Sequence, residues 1–232
     1  MKAFLLAGGM GERLRPLTTR MPKCLVPIKG TPLLGIWLDA FARQGIDDVL
    51  VNVSQFPEQV EDFVETRAGR APRVQVVHEA APVGSAGTVA VNRAFVDGEE
   101  SFWIVYSDNL TNVTLAPMLA YHFAHRDVLT MALFRTPEPQ SSGVVSLAPD
   151  GLVTGFHEKP ERPLGNLANA GIYLARQTLF ESIPRAGAVT DFGHDVLPRL
   201  AGRMRGYEIE GYLADIGTPA RLARAEAEWP GF

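Results

Sequence analysis

Residues 8–29 carry a set of side chains suited to binding a polyphosphate. Gly8, Gly9 and Gly11 follow directly on the apolar run Ala3–Ala7, and Arg13, Arg15, Arg20, Lys23 and Lys29 come next against one acid, Glu12. A phosphate site needs a strand to aim a loop, glycines that let backbone N–H groups close on the anion, and cations to neutralise it. The formal net charge of the chain is -4, so this basic cluster runs against the global balance. Spacing excludes two common designs. A dinucleotide fingerprint requires a third glycine where Leu14 stands, and a P-loop requires Gly-Lys-Ser/Thr where Arg13 follows the first glycine. The missing third glycine leaves a nicotinamide-dependent oxidoreductase without its site.

The elements that must position this loop are legible from patterning. Ala3–Ala7 reads as a short buried strand stopped by glycine. Residues 8–30 have neither helical nor strand period and read as a long functional loop. Thr31-Pro32 reads as an N-cap and first-turn proline opening a helix over 32–44, with Gly45 behind it. Strands are expected at Val49–Val53, Arg73–Val77 and Phe102–Tyr106, and helices over 57–67, from Pro82-Val83-Gly84-Ser85-Ala86-Gly87-Thr88 to Val96, and over 115–125. This βα alternation implies a parallel sheet covered by helices on both faces. The second half changes character. Val128–Phe134, Gly143–Leu147, Leu152–His157 and Ala170–Ala175 are strand-like, with turn signals at Pro137-Glu138-Pro139 and Asp150-Gly151, and suggest antiparallel additions. Helices are expected near 177–182 and 192–200, a strand over Tyr207–Leu213, and a last helix capped by Thr218-Pro219. The reading is one domain over 1–232, in two halves, about 1–126 and about 127–232.

Composition narrows the classes. With 46% hydrophobic and 21% charged residues this is ordinary globular usage. A chain of this length buries about 70% of its unfolded surface and needs no disulfide or metal to fold. Mild acidity argues against nucleic-acid binding, and no apolar run reaches the roughly 20 residues of a membrane span. One cysteine, Cys24, excludes an internal disulfide framework. A cytoplasmic protein, monomer or homodimer, is expected. Cys24 reads as a buried structural thiol. His122 and His125, three apart on a predicted helix without acidic or cysteine companions, read as a solvated face. His157 is expected on the strand face opposite Glu158, and Glu226 and Glu228 on a solvated helix.

Six motifs stand in a telling order: Gly8-Gly9-Met10-Gly11-Glu12-Arg13-Leu14-Arg15-Pro16-Leu17-Thr18 with Pro22-Lys23-Cys24-Leu25-Val26-Pro27, then Pro82-Val83-Gly84-Ser85-Ala86-Gly87, Ser107-Asp108-Asn109, Phe156-His157-Glu158-Lys159-Pro160, Asn169-Ala170-Gly171-Ile172-Tyr173 and Asp215-Ile216-Gly217-Thr218-Pro219. In this order they resemble the signatures of the sugar-phosphate nucleotidyltransferases, the nucleotide-sugar pyrophosphorylases. The resemblance implies a Rossmann-like three-layer α/β/α sandwich with a mainly parallel, mixed sheet. It implies transfer of a nucleotidyl group from an NTP to a sugar 1-phosphate with loss of pyrophosphate, assisted by Mg²⁺.

The same resemblance implies residue roles. Leu6, Ala7, Gly8, Gly9, Gly11, Glu79, Gly84, Ser85 and Gly87 would contact the nucleotide. Arg13 and Lys23 would neutralise the reacting phosphates, and Asp108 and Asp215 would hold the metal. Gly143, Glu158, Lys159 and Asn169 would meet the sugar phosphate. The chemistry agrees with the residues, because a phosphate monoester with a second pKa of about 6 is already ionised near neutrality and needs no general base. Positioning and charge neutralisation suffice.

The sequence also departs from the family pattern. Glu12 stands where threonine is common and is expected to point away from the nucleotide or to help place Arg13. Ser107 and Leu213 replace the usual glycine and tryptophan. Nothing resembles the hexapeptide β-helix into which many members continue, and the short form is similar to mannose and heptose 1-phosphate guanylyltransferases and to small muramic-acid 1-phosphate uridylyltransferases. Gly84-Ser85-Ala86-Gly87-Thr88 lies nearer the guanylyl and thymidylyl form, which favours GTP. The alternatives are a uridylyl- or thymidylyltransferase acting on another sugar 1-phosphate, such as that of N-acetylmuramic acid or glucose, and a non-catalytic nucleotide-sugar-binding regulatory subunit. Retention of Arg13, Lys23, Asp108, Lys159 and Asp215 argues against the last.

Overall fold

The computed structural model describes residues 1–184 and 189–232. In chain order it begins with β1 (Lys2–Leu6), three 3₁₀ turns (Glu12–Leu14, Leu17–Thr19 and Lys23–Leu25), and a small ribbon of β2 (Pro27–Ile28) and β3 (Thr31–Pro32). There follow α1 (Leu33–Arg43), β4 (Asp48–Val53), α2 (Pro57–Glu65), β5 (Arg73–His78), α3 (Ser85–Val91), β6 (Ser101–Tyr106), β7 (Asn109–Thr111) and α4 (Ala116–Phe123). The remainder is β8 (Leu129–Arg135), β9 (Gly143–Leu147), β10 (Val153–Glu158), β11 (Leu167–Arg176), β12 (Met204–Glu208), β13 (Leu213–Asp215) and α5 (Pro219–Glu228). Two compact units interleave along the sequence: residues 1–82, 105–113 and 211–232 form the first, and 83–104 and 114–210 the second. β6 runs through the division, its first four residues in the second unit and its last two in the first.

The first unit is built on parallel strands. β1 pairs with β4, Phe4 opposite Leu50, and β4 pairs with β5, Leu50 opposite Gln75. Ala3, Phe4, Leu5, Val49, Leu50 and Val51 are fully buried, the continuous apolar run that a strand covered on both faces requires. β5 alternates toward solvent, exposing Arg73, Gln75 and His78. Helix α1 buries Leu33, Leu34, Trp37, Leu38 and Phe41, and Gly45 closes it in the left-handed region at φ 73°. The expected cap is absent. Thr31 pairs with Ile28 in the β2–β3 ribbon, so its backbone is extended and Pro32 enters the helix without a side-chain cap. Thr218 does cap α5, accepting the Arg221 N–H.

The second unit supplies the antiparallel additions. β11 runs antiparallel to both β8 and β9, β10 antiparallel to β9, and β12 parallel to β8. The expected strand over Tyr207–Leu213 is instead two strands in different pairings. β12 ends at Glu208 and β13 begins at Leu213, because Gly211 takes φ 128°, a conformation that breaks a ladder. The helix expected to reach Val96 stops at Val91. There the Asn92 amide turns back to the Thr88 carbonyl at 2.9 Å, and a 3₁₀ turn follows. Residues 192–200 form a π turn and a 3₁₀ turn rather than one helix, with Pro198 at the junction.

His122 and His125 do not face solvent. His122 is fully buried, and a hydrogen-bond chain runs through it. The Asp127 N–H donates to His125 Nδ1 at 3.1 Å, which leaves His125 Nε2 to donate to Thr130 Oγ1 at 2.9 Å. Thr130 then donates to His122 Nδ1 at 2.8 Å, and His122 Nε2 to Ser101 Oγ at 3.1 Å. Each member is satisfied with both imidazoles neutral. Burial, with Arg176 and His125 opposing a further charge, pushes the His122 pKa down to about 3.

Candidate active site

The glycine loop begins where β1 ends and is held by side chains from its neighbours. The Ser107 N–H donates to the Leu6 carbonyl at 3.0 Å, the Ala7 N–H to Asn52 Oδ1 at 2.8 Å, and the Ser54 hydroxyl to the Gly8 carbonyl at 2.6 Å. Gly11 adopts φ 62°, and a Cβ there would stand 2.9 Å from Thr18 Cγ2, so glycine is required twice over. The Thr18 hydroxyl locks the turn by donating to the Gly11 carbonyl at 2.7 Å. Gly9 faces open space. Glu12 makes an exposed contact of 3.6 Å with Arg15 rather than with Arg13.

Four predicted residues converge beside this loop. β7 and β13 form a short antiparallel ladder in which Asp215 lies opposite Asn109, and the Ile216 N–H donates to the Asp108 carbonyl at 3.1 Å. This ladder brings Asp108 and Asp215 to one end. Lys23 reaches the same place from its 3₁₀ turn, with Nζ 2.7 Å from Asp108 Oδ2 and the side chain only 12% exposed. Asp215 accepts the Gly217 N–H at 2.6 Å and pairs with the Arg221 guanidinium. A Cβ on Gly217 would lie 2.7 Å from Asp215 Oδ1 and 2.9 Å from Arg13 Nη2, so the missing side chain lets Arg13 and Asp215 share this corner. Two carboxylates and three cations thus stand together at the mouth of the glycine loop.

Glu79 follows β5 on the other flank. Its Oε2 accepts from Asn52 Nδ2 at 3.1 Å. Gly8, Asn52 and Glu79 therefore occupy the carboxyl ends of β1, β4 and β5, the edge of an open parallel sheet where ligands bind. Cys24, beside Lys23, is 1% exposed, and burial pushes its thiol up to about 12, which removes it as a nucleophile near neutrality.

In the second unit a second group assembles. Glu158 stands directly opposite Gly143 across β9 and β10. A Cβ on either Gly143 or Gly193 would come within 2.8 Å of Glu158 Oε2. The carboxylate is thus walled by two glycines. Lys159 Nζ is 3.4 Å from Glu158 Oε1, and Lys159 holds φ 44°, a left-handed backbone uncommon outside glycine and a feature of functional sites. His157 is exposed on the opposite face from Glu158, as alternation requires.

Gly84 and Ser85 meet the chain itself. A Cβ on Gly84 would collide with the Thr190 backbone, and the Ala86 and Gly87 N–H groups both donate to the Thr190 carbonyl. The Ser85 hydroxyl donates to Asp191 Oδ2 at 2.7 Å and accepts from the Phe192 N–H at 2.9 Å. Asn169 spends its amide on a bulge of β11, accepting from the Gly171 N–H at 2.9 Å and donating to the buried Tyr173 hydroxyl at 2.6 Å.

The family model for nucleotidyl transferases matches residues 2–230 of the chain. The chain belongs to the nucleotidyl transferase family. It is 30% identical over 224 residues to the mannose-1-phosphate guanylyltransferase catalytic subunit beta of Dictyostelium discoideum and 32% over 225 residues to mannose-1-phosphate guanylyltransferase 1 of Arabidopsis thaliana. Each alignment takes in 94% of this chain and 62% of the relative, so the chain spans less than two thirds of the length of these relatives. The fold is also that of a Bacillus anthracis chain solved with a sucrose, at TM-score 0.86 and 24% identity over 98% of this chain and 94% of the other. HddC from Yersinia pseudotuberculosis, complexed with GMP-PN, superposes at TM-score 0.82 and 21% identity over 98% and 99%.

Within this family member several engaged residues escape sequence reading. Asn52, Arg221, Asp191 and Gly193 belong to none of the six motifs. Asn52 carried one signal, an amide set inside the otherwise apolar stretch Val49-Leu50-Val51-Asn52-Val53. Asp191 caps the turn at 192–196, accepting the Gly193 and His194 N–H groups, a local signal that an Asp before a turn can give, while its bond to Ser85 spans 106 positions and leaves no local trace.

Proposed function

We infer that this domain transfers a guanylyl group from GTP to a sugar 1-phosphate of mannose or heptose type, releasing pyrophosphate. The observation that carries the reading is the convergence of Lys23, Arg13, Asp108 and Asp215 beside the glycine loop. The attacking oxygen of the sugar phosphate is ionised near neutrality, so the domain's task is to hold two anions in line and to neutralise charge as the bond to pyrophosphate breaks. Backbone N–H groups of Gly8, Gly9 and Gly11 would cradle the triphosphate. Arg13 would meet the departing pyrophosphate, and Lys23 the phosphorus undergoing substitution. Glu158 would accept from sugar hydroxyls, and Lys159 would grip the sugar phosphate.

Members of the family as a rule use a divalent metal. Among the described residues no group of three or more His, Cys, Asp or Glu side chains forms a metal cage. Asp108 and Asp215 offer the hard oxygens that Mg²⁺ prefers and would leave its other positions to substrate phosphates and water. The fit is good, since both carboxylates already draw a cation, Lys23 and Arg221. When bound, Mg²⁺ would neutralise charge on the phosphate oxygens.

Glu79 supports guanine. Its carboxylate is an acceptor pair at the nucleotide edge, and guanine alone among the common bases presents two adjacent donors, N1–H and N2–H₂, on one edge. The mannose-1-phosphate guanylyltransferase relatives support the same choice. A matrix of GTP, UTP, dTTP, CTP and ATP against mannose, glucose and N-acetylmuramic acid 1-phosphates, read by pyrophosphate release with Mg²⁺, tests it. Highest kcat/KM with GTP and mannose 1-phosphate is expected. Folded protein without turnover on any pair ends the enzymatic reading, and preference for UTP or dTTP ends the guanylyl one.

A further inference from the structure

Asn52 does more than fill β4. Its side chain is 4% exposed and sits between Val51 and Val53, where an apolar residue would satisfy the fold. Its Oδ1 accepts the Ala7 N–H at 2.8 Å. A backbone amide can only donate, so that contact fixes which way the side-chain amide is turned. Nδ2 then points along the carboxyl edge of the sheet and donates to Glu79 Oε2 at 3.1 Å. A Cβ on Gly8 would lie 2.6 Å from this nitrogen, so glycine at position 8 is what allows the amide to reach across. One buried amide thus joins the loop after β1 to the carboxylate after β5.

We propose that Asn52 is a positioning residue for base specificity: it orients the Glu79 carboxylate toward the N1–H and N2–H₂ donors of guanine and ties that orientation to the phosphate loop. This rests on the guanylyl reading above. The physical reason is desolvation. A carboxylate that must present both oxygens to a base needs a fixed donor on the outer lone pair of one of them, or it rotates and hydrates. A site whose buried polar groups are aligned to hydrogen-bond a substrate rejects an analogue lacking the matching group by orders of magnitude. Gly8, Asn52 and Glu79 make the base contact and the phosphate cradle one rigid assembly, so a base that fails to engage Glu79 is also penalised at the reacting phosphate.

The test compares GTP with ITP, which lacks the N2 amino group, using mannose 1-phosphate and Mg²⁺. Asn52→Leu, which keeps the branched heavy-atom skeleton without its polar atoms, should raise KM for GTP about tenfold or more and change KM for ITP less. The GTP/ITP ratio of kcat/KM then falls toward one while KM for mannose 1-phosphate moves little. Asn52→Asp keeps an acceptor for the Ala7 N–H but sets a like charge against Glu79, and it should lose the same ratio. Glu79→Gln should also lose it, and Asn52→Leu combined with Glu79→Gln should lose no more than either alone, the non-additivity of residues acting as one unit. A folded Asn52→Leu that keeps the wild-type GTP/ITP ratio overturns the proposal, as does full additivity in the double variant. A wild-type protein that prefers UTP or dTTP overturns the guanylyl reading itself, a result distinct from either.

Discussion

The Lys23 ammonium donates to Asp108 Oδ2 at 2.7 Å, joining residues 85 positions apart in the chain. The contact stands beside the glycine loop and is partly shielded from solvent, and on the proposed reading the pair would neutralise charge during phosphoryl transfer. Lys23→Ala and Asp108→Asn should each lower kcat/KM by ~10²-fold or more, the scale for removing a transition-state electrostatic contact. Lys23→Arg should not restore the rate, because a planar fork does not replace a point charge at this spacing. Steady-state pyrophosphate release measures both.

Gly217 gives a steric test of the same corner. Its substitution by alanine puts a methyl group 2.7 Å from Asp215 Oδ1 and 2.9 Å from Arg13 Nη2, and both must move. Gly217→Ala should retain a near wild-type thermal midpoint and lose about 10²-fold in kcat/KM, as misplacement of positioned groups does. Thermal unfolding beside initial-rate kinetics separates the two effects.

Asp191 holds three donors, the Ser85 hydroxyl and the N–H groups of Gly193 and His194. Removing it strands them, a cost of about 1–3 kcal/mol for a buried unsatisfied group. Asp191→Ala should lower the denaturation midpoint accordingly. It should also raise KM for the sugar phosphate, because Gly193 packs on Glu158. Ser85→Ala, which removes one bond of the set, should show a smaller shift in the same direction.

The His122 chain predicts acid sensitivity. Unfolded, His122 titrates near 6.5, while in the fold its pKa is about 3. Above about pH 6.5 neither state binds the proton, and the stability is fully present. As pH falls from about 6.5 toward 3 the unfolded chain takes up a proton that the native state refuses, so stability is lost, at most about 1.4 kcal/mol per pH unit for one proton. Asp127 and Arg205, which face His125, and Arg176 beside both rings set the local field. Thermal midpoints between pH 7 and pH 4 should fall more steeply for wild type than for His122→Gln.

Much of this was legible beforehand because the signals were local. A continuous apolar run ending in glycine announces β1 and the glycine turn behind it, and Thr218-Pro219 announces α5. Local pattern misleads where tertiary partners override it. Thr31 looked like a cap, yet its backbone was claimed by Ile28. Tyr207–Leu213 looked like one strand, yet Gly211 divides it. His122 and His125 looked like a polar helical face, because sequence cannot show Thr130 and Ser101 arriving from strands to satisfy them. In the candidate site, the charged residues lie inside long motifs, whereas Asn52 acts through Ala7 and Glu79, and Asp191 through Ser85 as well as its own turn, and such distant partners leave almost no trace in the linear order.

The state of Cys24 has a practical consequence. The chain's one thiol is buried and held protonated at ordinary pH, which leaves the molecule chemically blank toward maleimides and other soft electrophiles. Met10, between Gly9 and Gly11 of the glycine loop, is 40% exposed. Met10→Cys would therefore carry a fluorophore at one known address, without first stripping the background, and report nucleotide arrival in real time.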